Sequence, residues 1–364
     1  MAPLIDIIAG ARPNFMKIAS IIKALERDAA DVLAYRLIHT GQHYDARMSD
    51  DFFRQLGIPA PHINFDVGSG SQAAQTAAIM IRYEALLQEA PSQLCLVVGD
   101  VTSTMACAIT AQKLGVPVAH VEAGIRSGDW TMPEEINRMV TDSITNWFFT
   151  TSDGANANLA RAGVTDDRIF FVGNTMIDTL VANLDRLAPP AFWDDLALVP
   201  QNYFVLTLHR PTNVDSNASL AAMLAAVAAA TRGLPVIFPV HPRTAKTIRE
   251  LGELPTSLHL VEPQAYLEFN YLVRNAKAVI TDSGGVTEEA TVMGVPCMTL
   301  RNSTERPETV SIGTNELLGT DPAALAGALD RLFSGAWRKG GIPPLWDGRA
   351  AGRIVAALKP LLCA

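Results

Sequence analysis

The sequence predicts an α/β fold built from two doubly wound domains. Short apolar, β-rich segments alternate with longer helical segments along the whole chain, which is the pattern of βαβ units around a parallel sheet. A stretch at 187–201 with three prolines and an acidic pair interrupts this rhythm, and the alternation then starts again. A length of 364 residues fits two domains of ordinary size. We therefore expect two Rossmann-like domains of similar size that face a central cleft, with ligands bound beyond the carboxyl ends of the strands.

The first half contains six predicted strands separated by five predicted helices. The strands are short apolar runs that read as buried parallel strands: Ile5–Ala9, Tyr35–His39, Leu94–Val98, Val118–Val121, Trp147–Thr150 and Ile169–Val172. The helices are the longer stretches between them: Lys17–Arg27, Ser71–Glu89, Ser103–Leu114, Glu134–Thr145 and Gly154–Ala162.

The second half has the same organisation but no detectable sequence repeat of the first. Its predicted strands are Tyr203–Thr207, Val236–Val240, Leu258–Val261, Ala278–Thr281 and Cys297–Thr299. Its predicted helices are Asn217–Thr231, Tyr266–Asn275, Thr287–Met293 and Ala323–Phe333. We expect an N-terminal domain over 1–188, a C-terminal domain over 201–345, and a final helix within 346–364 that can pack back on the first domain.

Composition and charge narrow the function classes. Hydrophobic residues make up 49% and charged residues 18% of the chain, which excludes wholesale disorder. The net charge of −8 disfavours nucleic acid as a partner, because phosphate contacts need a basic face. No apolar run approaches the roughly 20 residues of a membrane-spanning helix, and the first residues lack the basic start of a secretory signal. The four cysteines are scattered, and three of them lie in apolar strand or helix contexts, which predicts buried, reduced thiols. We therefore expect a cytoplasmic protein.

Two turns after predicted strands suit an anionic ligand. Gly10 follows the first strand, and Arg12 and Lys17 lie on either side of a helix start, where the helix dipole also favours negative charge. After Ala278–Thr281, Ser283, Gly284 and Gly285 open a helix, so a hydroxyl and backbone N–H groups can approach a phosphate, and Glu289 follows one turn later, where its carboxylate could accept hydrogen bonds from ribose hydroxyls. The structural alternatives are a solvated basic pair in the first turn and an ordinary glycine turn in the second.

The first half also supplies carboxylates at strand and helix ends. Asp100 and Glu122 follow neighbouring predicted strands, and Glu134 starts a helix with Arg138 one turn further on the same face. Each acid alone is more often a helix cap or a surface ion-pair partner. Two acids that converge on one cleft, however, raise each other's pKa and suit proton transfer.

In the second half, His209-Arg210 and His241 follow strands on the face that carries the glycine turn. A single histidine at a strand end is usually structural, but two with nearby arginines favour a binding role. The seven histidines show no metal-binding spacing, and the chain has neither a Walker motif nor the dinucleotide glycine fingerprint. We therefore expect no metal and no cofactor.

Eight motifs in order connect these residues into one pattern. They are G-A-R-P-N-F-M-K at 10–17, T-G-Q-H at 40–43, G-D at 99–100, H-V-E-A-G-I-R-S at 120–127, P-E-E-I-N-R at 133–138, H-R-P-T-N-V at 209–214, D-S-G-G-V-T-E-E at 282–289 and T-E-R-P-E at 304–308. Together they resemble the non-hydrolysing UDP-N-acetylglucosamine 2-epimerases, which have a glycosyltransferase-B-like fold. The resemblance covers more than four-fifths of the chain.

The resemblance implies a role for each matching residue. Asp100, Glu122, Glu134 and His209 match catalytic positions. The positions that match substrate or nucleotide contacts are Arg12, Lys17, Arg138, Phe269, Ser283, Gly284, Gly285 and Glu289. Four residues match a second, activating UDP-N-acetylglucosamine site found in some bacterial members: Gln42, His43, Arg210 and His241.

The implied reaction is the reversible C2 epimerisation of UDP-N-acetylglucosamine to UDP-N-acetylmannosamine, through elimination and re-addition of UDP, which would supply precursors for cell-surface polysaccharide. The implied partners are the UDP-sugar and UDP, with a homodimer expected and neither nucleic acid nor membrane. Pro211-Thr212 and Asn14-Phe15 depart from the usual family residues, which leaves the exact sugar and the allosteric control open. The alternatives are an epimerase of a related UDP-2-acetamido sugar, a hydrolysing 2-epimerase, a glycosyltransferase and a non-catalytic nucleotide-sugar sensor.

Overall fold

The computed structural model describes residues 2–41, 52–214, 216–240 and 242–363. Within these ranges it does not describe the side chains of residues 12, 211, 212, 242–244 and 246. The chain divides into two compact units. The first consists of Met1–Ala182 together with Pro344–Ala364, and the second of Asn183–Pro343.

The first unit is organised around a seven-stranded parallel sheet. Its strands are β1 (Leu4–Ala9), β2 (Ala34–His39), β3 (Ile63–Asn64), β4 (Leu94–Val98), β5 (Val118–Val121), β6 (Trp147–Thr150) and β7 (Ile169–Phe171). The order across the sheet is β3-β2-β1-β4-β5-β6-β7. Every neighbouring pair is parallel, so all the carboxyl ends lie at one edge. The loops that follow β1, β4 and β5 are therefore neighbours.

The helices of the first unit whose bounds the structure describes are named here in chain order. They are α1 (Arg12–Asp28), α2 (Gln72–Glu89), α3 (Thr102–Lys113), α4 (Pro133–Ile144), α5 (Asp153–Arg161), α6 (Thr175–Asn183, whose last residue lies in the second unit) and, at the end of the chain, α14 (Ala350–Leu362). Serine side chains cap two of them: Ser71 accepts the N–H of Ala74, and Ser152 accepts the N–H of Ala155. Each cap satisfies a backbone donor that the helix start would otherwise leave unpaired.

The last helix is held to the first unit by specific contacts. It packs against α1. The carboxylate of Asp178, in α6, accepts the N–H groups of Ala350 (3.0 Å) and Ala351 (2.7 Å) and so caps the start of α14. Burial raises the pKa of Asp178 to about 6. The buried Trp346 donates its indole N–H to the carbonyl of Thr151 at 3.0 Å.

The second unit contains a six-stranded parallel sheet. Its strands are β8 (Phe204–Thr207), β9 (Val236–Pro239), β10 (Leu258–Val261), β11 (Ala278–Thr281), β12 (Cys297–Thr299) and β13 (Asn315–Leu317), in the order β10-β9-β8-β11-β12-β13. Its helices are α7 (Pro211–Val214), α8 (Asn217–Ala230), α9 (Pro242–Glu250), α10 (Tyr266–Asn275), α11 (Gly284–Val292), α12 (Pro307–Ser311) and α13 (Ala324–Phe333). Because β8 and β11 are paired, the residues that follow these two strands are neighbours.

The two parallel α/β sheets confirm the predicted fold class. The differences concern local elements. Helix α1 begins at Arg12 rather than Lys17, with Pro13 in its first turn, where proline is favoured because its fixed backbone angle already suits a helix. Strand β3 has two residues and β13 three, too few to show a sequence period. Helix α9 has few apolar residues, and it was not predicted for that reason.

Three cysteines, Cys95, Cys107 and Cys297, are buried and carry free thiols, as predicted, whereas Cys363 is exposed. No helix within the described residues is both long and apolar enough to cross a membrane.

Candidate active site

Glu122 lies at the carboxyl end of β5 in an unusual backbone conformation. Its φ is +68°, a value that side-chain-bearing residues adopt rarely and that the surrounding structure must hold in place. The carboxylate is buried, and its Oε2 lies 2.5 Å from Nζ of Lys17, which is also buried in α1. The pairing of a buried carboxylate with a buried ammonium avoids the cost of an isolated charge.

The loop between β4 and α3 lies beside this ion pair. Gly99 has a φ of +68°, and a Cβ at this position would lie 3.2 Å from Nζ of Lys17 and 3.7 Å from Oε2 of Glu122. Glycine is therefore required here both for the backbone angle and for the approach of the ion pair.

The side chain of Asn14 makes hydrogen bonds to the β1–α1 loop and to the end of β4. Its side-chain oxygen accepts the N–H groups of Gly10 and Ala11, and its amide nitrogen donates to the carbonyl of Val98 at 2.9 Å. The buried amide therefore joins the β1–α1 loop to the end of β4. This gives a structural role to one of the departures from the family pattern.

Asp100 and Glu135 share a buried guanidinium. Arg138, in α4, donates to the Asp100 carboxylate at 3.0 Å through Nε and also pairs with Glu135. Asn137 of the same helix donates to the backbone carbonyl of Asp100 at 2.8 Å. Burial raises the pKa of Glu135, but hydrogen bonds from the N–H groups of Ser127 and Gly128 and the charge of Arg138 bring it below its ordinary value.

Glu134, at the start of α4, is half-buried. Among the residues that the structure describes, its carboxylate makes no hydrogen bond or ion pair. It therefore differs from its neighbour Glu135, which is buried and accepts hydrogen bonds from Ser127, Gly128 and Arg138.

The interaction expected between Asp100 and Glu122 stays a prediction, and in the structure each of the two carboxylates is paired with a cation. Arg138 pairs with Asp100, and Lys17 pairs with Glu122. A nearby positive charge favours the ionised carboxylate. The arrangement therefore suits carboxylates that accept a proton.

A second buried pair lies between β5 and α4. Nδ1 of His120 is 2.7 Å from Oδ1 of Asp142, and Nε2 of His120 is 2.8 Å from the carbonyl oxygen of Gly99. The other oxygen of Asp142 accepts the N–H of Gly124 at 3.1 Å and lies 2.6 Å from Nη1 of Arg126. Burial raises the pKa of Asp142, but the hydrogen bond and charge of His120 and the charge of Arg126 bring it below its ordinary value.

In the second unit, α11 begins directly at the predicted phosphate turn. Ser283 is the residue before the helix, and Gly284 and Gly285 are its first two residues. The Ser283 hydroxyl makes no hydrogen bond to any described residue, and the first N–H groups of a helix have no partner within it. A hydroxyl donor and helix N–H groups at a positive helix end can bind phosphate oxygens.

Asp282 organises the residues just before this turn. Its buried carboxylate accepts the backbone N–H groups of His209 and Arg210 and the side-chain amide of Asn213, and it lies 2.6 Å from Nδ1 of His209. Burial raises the pKa of Asp282, but the hydrogen bonds and charge of His209 outweigh it, so the net shift is downward. The His209 ring is anchored through Nδ1, and its side chain remains 61% exposed.

Glu289 and Phe269 lie on helices beside the turn. Glu289 is buried in α11, where Oε1 accepts the hydroxyl of Tyr266 at 2.9 Å and the amide of Asn270 at 3.4 Å. Phe269, in α10, is half-buried against the core of the second unit.

Buried ion pairs lie next to the predicted phosphate turn. Arg301 lies 2.6 Å from Glu305, and Arg306 lies 2.6 Å from Glu288. A Cβ on Gly284 would lie 3.0 Å from Oε1 of Glu305, so this carboxylate packs directly against the turn. Burial raises the pKa of Glu305, but the hydrogen bond from Arg301 and the charges of Arg306 and Arg301 hold it at about 2.

Some predicted site residues lie outside the described part of the molecule. These are Gln42, His43 and His241, together with the side chain of Arg12, whose backbone begins α1. Arg210 donates to the carbonyl of Asp282 at 3.2 Å and lies 3.6 Å from Glu305. Within the described ranges, no group of three or more His, Cys, Asp or Glu side chains is arranged to hold a metal ion.

Sequence reasoning missed several residues of this constellation. The sequence pattern assigns no role to Asn14, Glu135, Asp142 and Asp282. Asn14, Asp142 and Asp282 form hydrogen bonds with residues 84, 22 and 73 positions away, which no local pattern shows. The signal that could have found them is the paired Glu134-Glu135 and the acidic residue directly before the glycine turn.

Comparison with known proteins gives one family. A model of the UDP-N-acetylglucosamine 2-epimerase family matches residues 23–359. The UDP-N-acetylglucosamine 2-epimerase of Methanocaldococcus jannaschii is 39% identical over 368 residues, covering 97% of this chain and 98% of that protein. The UDP-2,3-diacetamido-2,3-dideoxy-D-glucuronate 2-epimerase of Pseudomonas aeruginosa is 39% identical over 317 residues, covering 86% of this chain and 87% of that one.

A solved structure agrees with these sequence matches. The crystal structure of the M. jannaschii enzyme in complex with UDP-GlcNAc and UDP superposes with a TM-score of 0.89 at 38% identity, covering 98% of this chain and 99% of that one. With two parallel α/β sheets, acids after β4 and β5, and a glycine turn opening α11, the chain belongs to the UDP-N-acetylglucosamine 2-epimerase family.

Proposed function

We propose that this protein interconverts UDP-N-acetylglucosamine and UDP-N-acetylmannosamine. The observation that carries the proposal is the pair of cation-held carboxylates after β4 and β5, Asp100 with Arg138 and Glu122 with Lys17, in a chain of this family. These groups can accept and return a proton, and the start of α11 offers the donors that a diphosphate needs.

The chemistry of the sugar explains why both kinds of group are needed. C2 of a 2-acetamido sugar has no adjacent carbonyl, so its proton is too weakly acidic for direct exchange. In the proposed route a carboxylate takes the C2 proton while the bond from C1 to the bridging oxygen breaks. The electron pair of the C–H bond forms the C1–C2 double bond of a glycal, and UDP leaves with the bridging oxygen. UDP then adds back to C1 as an acid delivers a proton to the opposite face of C2.

The proton-handling roles fall to Asp100, Glu122 and Glu134. The first two are held by cations, which keeps a carboxylate ready to act as a base. Glu134 has no partner among the described residues, so its carboxyl group is available to exchange a proton with the sugar. Arg138 and Lys17 orient the acids, and in this proposal they also contact the substrate.

UDP is proposed to bind to the second unit. Ser283, Gly284 and Gly285 donate to the diphosphate, Glu289 accepts from the ribose, and Phe269 lies beside the uracil; Arg12, in the first unit, also contacts the diphosphate. Asp282 fixes Nδ1 of His209, which leaves Nε2 as the ring nitrogen that can stabilise charge on the departing diphosphate.

A second candidate substrate is a related UDP-2-acetamido sugar. The relative from P. aeruginosa, named for a 2,3-diacetamido glucuronate, is as similar in percentage identity as the relative from M. jannaschii. Both candidates require the same C2 chemistry. Parallel assays with UDP-N-acetylglucosamine and with the diacetamido glucuronate would separate them, and we expect the higher kcat/KM with the former.

Proton NMR of UDP-N-acetylglucosamine with the protein in heavy water tests the proposal. We expect the mannosamine product with deuterium at C2, and slower deuteration of the starting sugar. Oxygen-18 placed in the bridge to C1 should move into non-bridging positions. Product that keeps its original C2 hydrogen would contradict the elimination route. In the proposed route, side chains of the protein move the proton and bind UDP. Activity should therefore survive EDTA without added nicotinamide. Loss of activity that a divalent ion restores would contradict a cofactor-free reaction.

The remaining proposals concern partners and context. We propose a homodimer in the cytoplasm that supplies precursors for cell-surface polysaccharide. Gln42, His43, Arg210 and His241 are retained, so a second molecule of UDP-N-acetylglucosamine is proposed to activate the enzyme. Turnover of the mannosamine form should then show a lag that a trace of the glucosamine form removes, whereas hyperbolic kinetics from the first turnover would argue against a second site.

A further inference from the structure

His120 and Asp142 form a buried hydrogen-bonded pair that takes no part in the proposed proton transfers. Both residues are buried, His120 in β5 and Asp142 in the last turn of α4. Their contact at 2.7 Å is continued by a hydrogen bond from His120 to the carbonyl of Gly99. At the other end, Asp142 accepts the N–H of Gly124.

The hydrogen bonds fix the orientation of the ring. A carbonyl oxygen can only accept, so Nε2 of His120 donates to Gly99. One oxygen of the Asp142 carboxylate receives the N–H of Gly124 and lies beside the guanidinium of Arg126, and the other oxygen is hydrogen-bonded to Nδ1. Both ring nitrogens are therefore engaged, and the ring is held from both sides.

Each end of the pair holds a turn that carries a proposed catalytic acid. Gly99, with its positive φ, directly precedes Asp100. Glu122, also at positive φ, lies between the two residues that Asp142 holds, His120 and Gly124. A non-glycine residue in this conformation persists only where its surroundings over-determine it.

Three residues of helix α4 restrain these turns. Arg138 lies one turn before Asp142 and pairs with the Asp100 side chain, while Asn137 holds the Asp100 carbonyl. The Asp142–His120 pair adds the third connection from the same helix, to Gly99.

We propose that His120 and Asp142 are positioning residues of the epimerase reaction, which together set the turns at Gly99 and Glu122 and thereby aim the carboxylates of Asp100 and Glu122. The inference rests on the proposed function. A misplacement of about 1 Å in such groups can cost about 10²-fold in rate.

Two Asp142 variants separate positioning from charge. In Asp142→Asn the amide oxygen can accept from Gly124 and Arg126 while the amide N–H donates to a neutral His120, which still donates to Gly99. Every hydrogen bond is kept and only the carboxylate charge is lost. Asp142→Ala removes the connection altogether.

The matched control is Asp6→Asn. Asp6 is a fully buried carboxylate of the same sheet that pairs with Arg36 at 2.7 Å and accepts from Tyr83 and Ser92. It lies in β1, and the hydrogen bonds described for it go to Arg36, Tyr83 and Ser92 rather than to the two acid-bearing turns. It therefore reports what the loss of a buried ion pair does to the unit through stability alone.

The experiment follows UDP-N-acetylglucosamine in heavy water by NMR and records kcat, KM and the ratio of released UDP and glycal to epimer. Asp142→Ala should lower kcat by about 10- to 100-fold with UDP affinity unchanged, and should raise the released fraction, because a misaimed acid reprotonates the glycal poorly. Asp142→Asn should recover most of the kcat. Asp6→Asn should lower thermal stability and leave the released fraction unchanged.

The outcomes discriminate clearly. A folded Asp142→Ala protein with wild-type kcat and released fraction contradicts the proposal, and so does an equal change in Asp6→Asn. If Asp142→Ala does not fold, His120→Gln decides, since a wild-type kcat and released fraction in that variant would contradict it. A wild-type protein that exchanges no C2 hydrogen refutes the proposed function and removes this inference with it.

Discussion

The first unit holds two of its three predicted acids against cations, whereas the described part of the second unit leaves the hydroxyl of its predicted phosphate turn without a hydrogen bond. Lys17 and Arg138 are buried against Glu122 and Asp100. By contrast, the Ser283 hydroxyl has no hydrogen-bond partner among the described residues, and His209 is anchored at one nitrogen only. Groups that must act on a proton need fixed positions and a set charge, while groups that receive a ligand need unused hydrogen-bonding capacity.

The largest expected effect comes from replacing one of the cation-held acids of the first unit. Glu122→Gln keeps the shape of the side chain but removes its capacity to take a proton, so turnover should fall by about 10²- to 10⁴-fold. UDP affinity, measured by calorimetry, should change far less than turnover, because Glu122 itself is not among the proposed UDP contacts. The control is Glu84→Gln, at an exposed position on α2. Wild-type turnover in Glu122→Gln would remove this residue from the mechanism.

The next effect concerns the ion pairs beneath the phosphate turn. Glu305 has a folded pKa of about 2 against an ordinary value of 4.5. A lowered pKa contributes stability above the unfolded value, and this contribution is lost as the pH falls from about 4.5 towards 2. Glu305→Gln should therefore reduce the free energy of unfolding by about 3 kcal/mol at pH 7.

Urea titrations at several pH values would measure this. The difference between wild type and Glu305→Gln should shrink as the pH is lowered from about 5 to about 3. The matched control is Glu316→Gln, whose partner Arg331 is half-exposed, and which should cost less than about 1 kcal/mol. A difference that does not change with pH would show that the charge of Glu305 is not the cause.

The third prediction concerns the Ser283 hydroxyl in the predicted phosphate turn of the second unit. Ser283→Ala should weaken UDP binding by about 10- to 100-fold, the value of a hydrogen bond to a charged group, with a smaller effect on kcat. Ser216→Ala is the control, because Ser216 also precedes a helix but already caps it by accepting the N–H of Ser219. Unchanged UDP affinity in Ser283→Ala would remove the phosphate assignment.

The smallest effect tests how far the fixed acids tolerate loss of one contact. Ser127 donates its hydroxyl to Glu135 at 3.0 Å, but Glu135 also accepts two backbone N–H groups and pairs with Arg138. Ser127→Ala should therefore cost about 1 kcal/mol of stability or less and change turnover by less than about threefold. A loss of tenfold or more would mean that the hydroxyl itself contributes to the reaction.

Local pattern was sufficient for much of the molecule. Mainly apolar runs predicted Leu94–Val98, Val118–Val121 and Ala278–Thr281 with the bounds that the structure has, because a parallel strand buried on both faces consists largely of apolar residues. Short or polar elements such as β3 and α9 lack such a signal, and their formation depends on neighbours in space.

The sequence alone determined the two-sheet α/β class and the placing of polar residues directly after strands, since alternation and glycine turns are local properties. Only the tertiary structure decided which charged side chains form ion pairs with each other. Lys17 and Glu122 lie 105 residues apart, and Arg138 and Asp100 lie 38 apart. They meet because β4 lies between β1 and β5, which brings the loops after these three strands together at one edge of the sheet. The same holds for His209 and Asp282, which follow the paired strands β8 and β11. A pairing set by strand order is a property of the whole sheet, and no local stretch of sequence contains it.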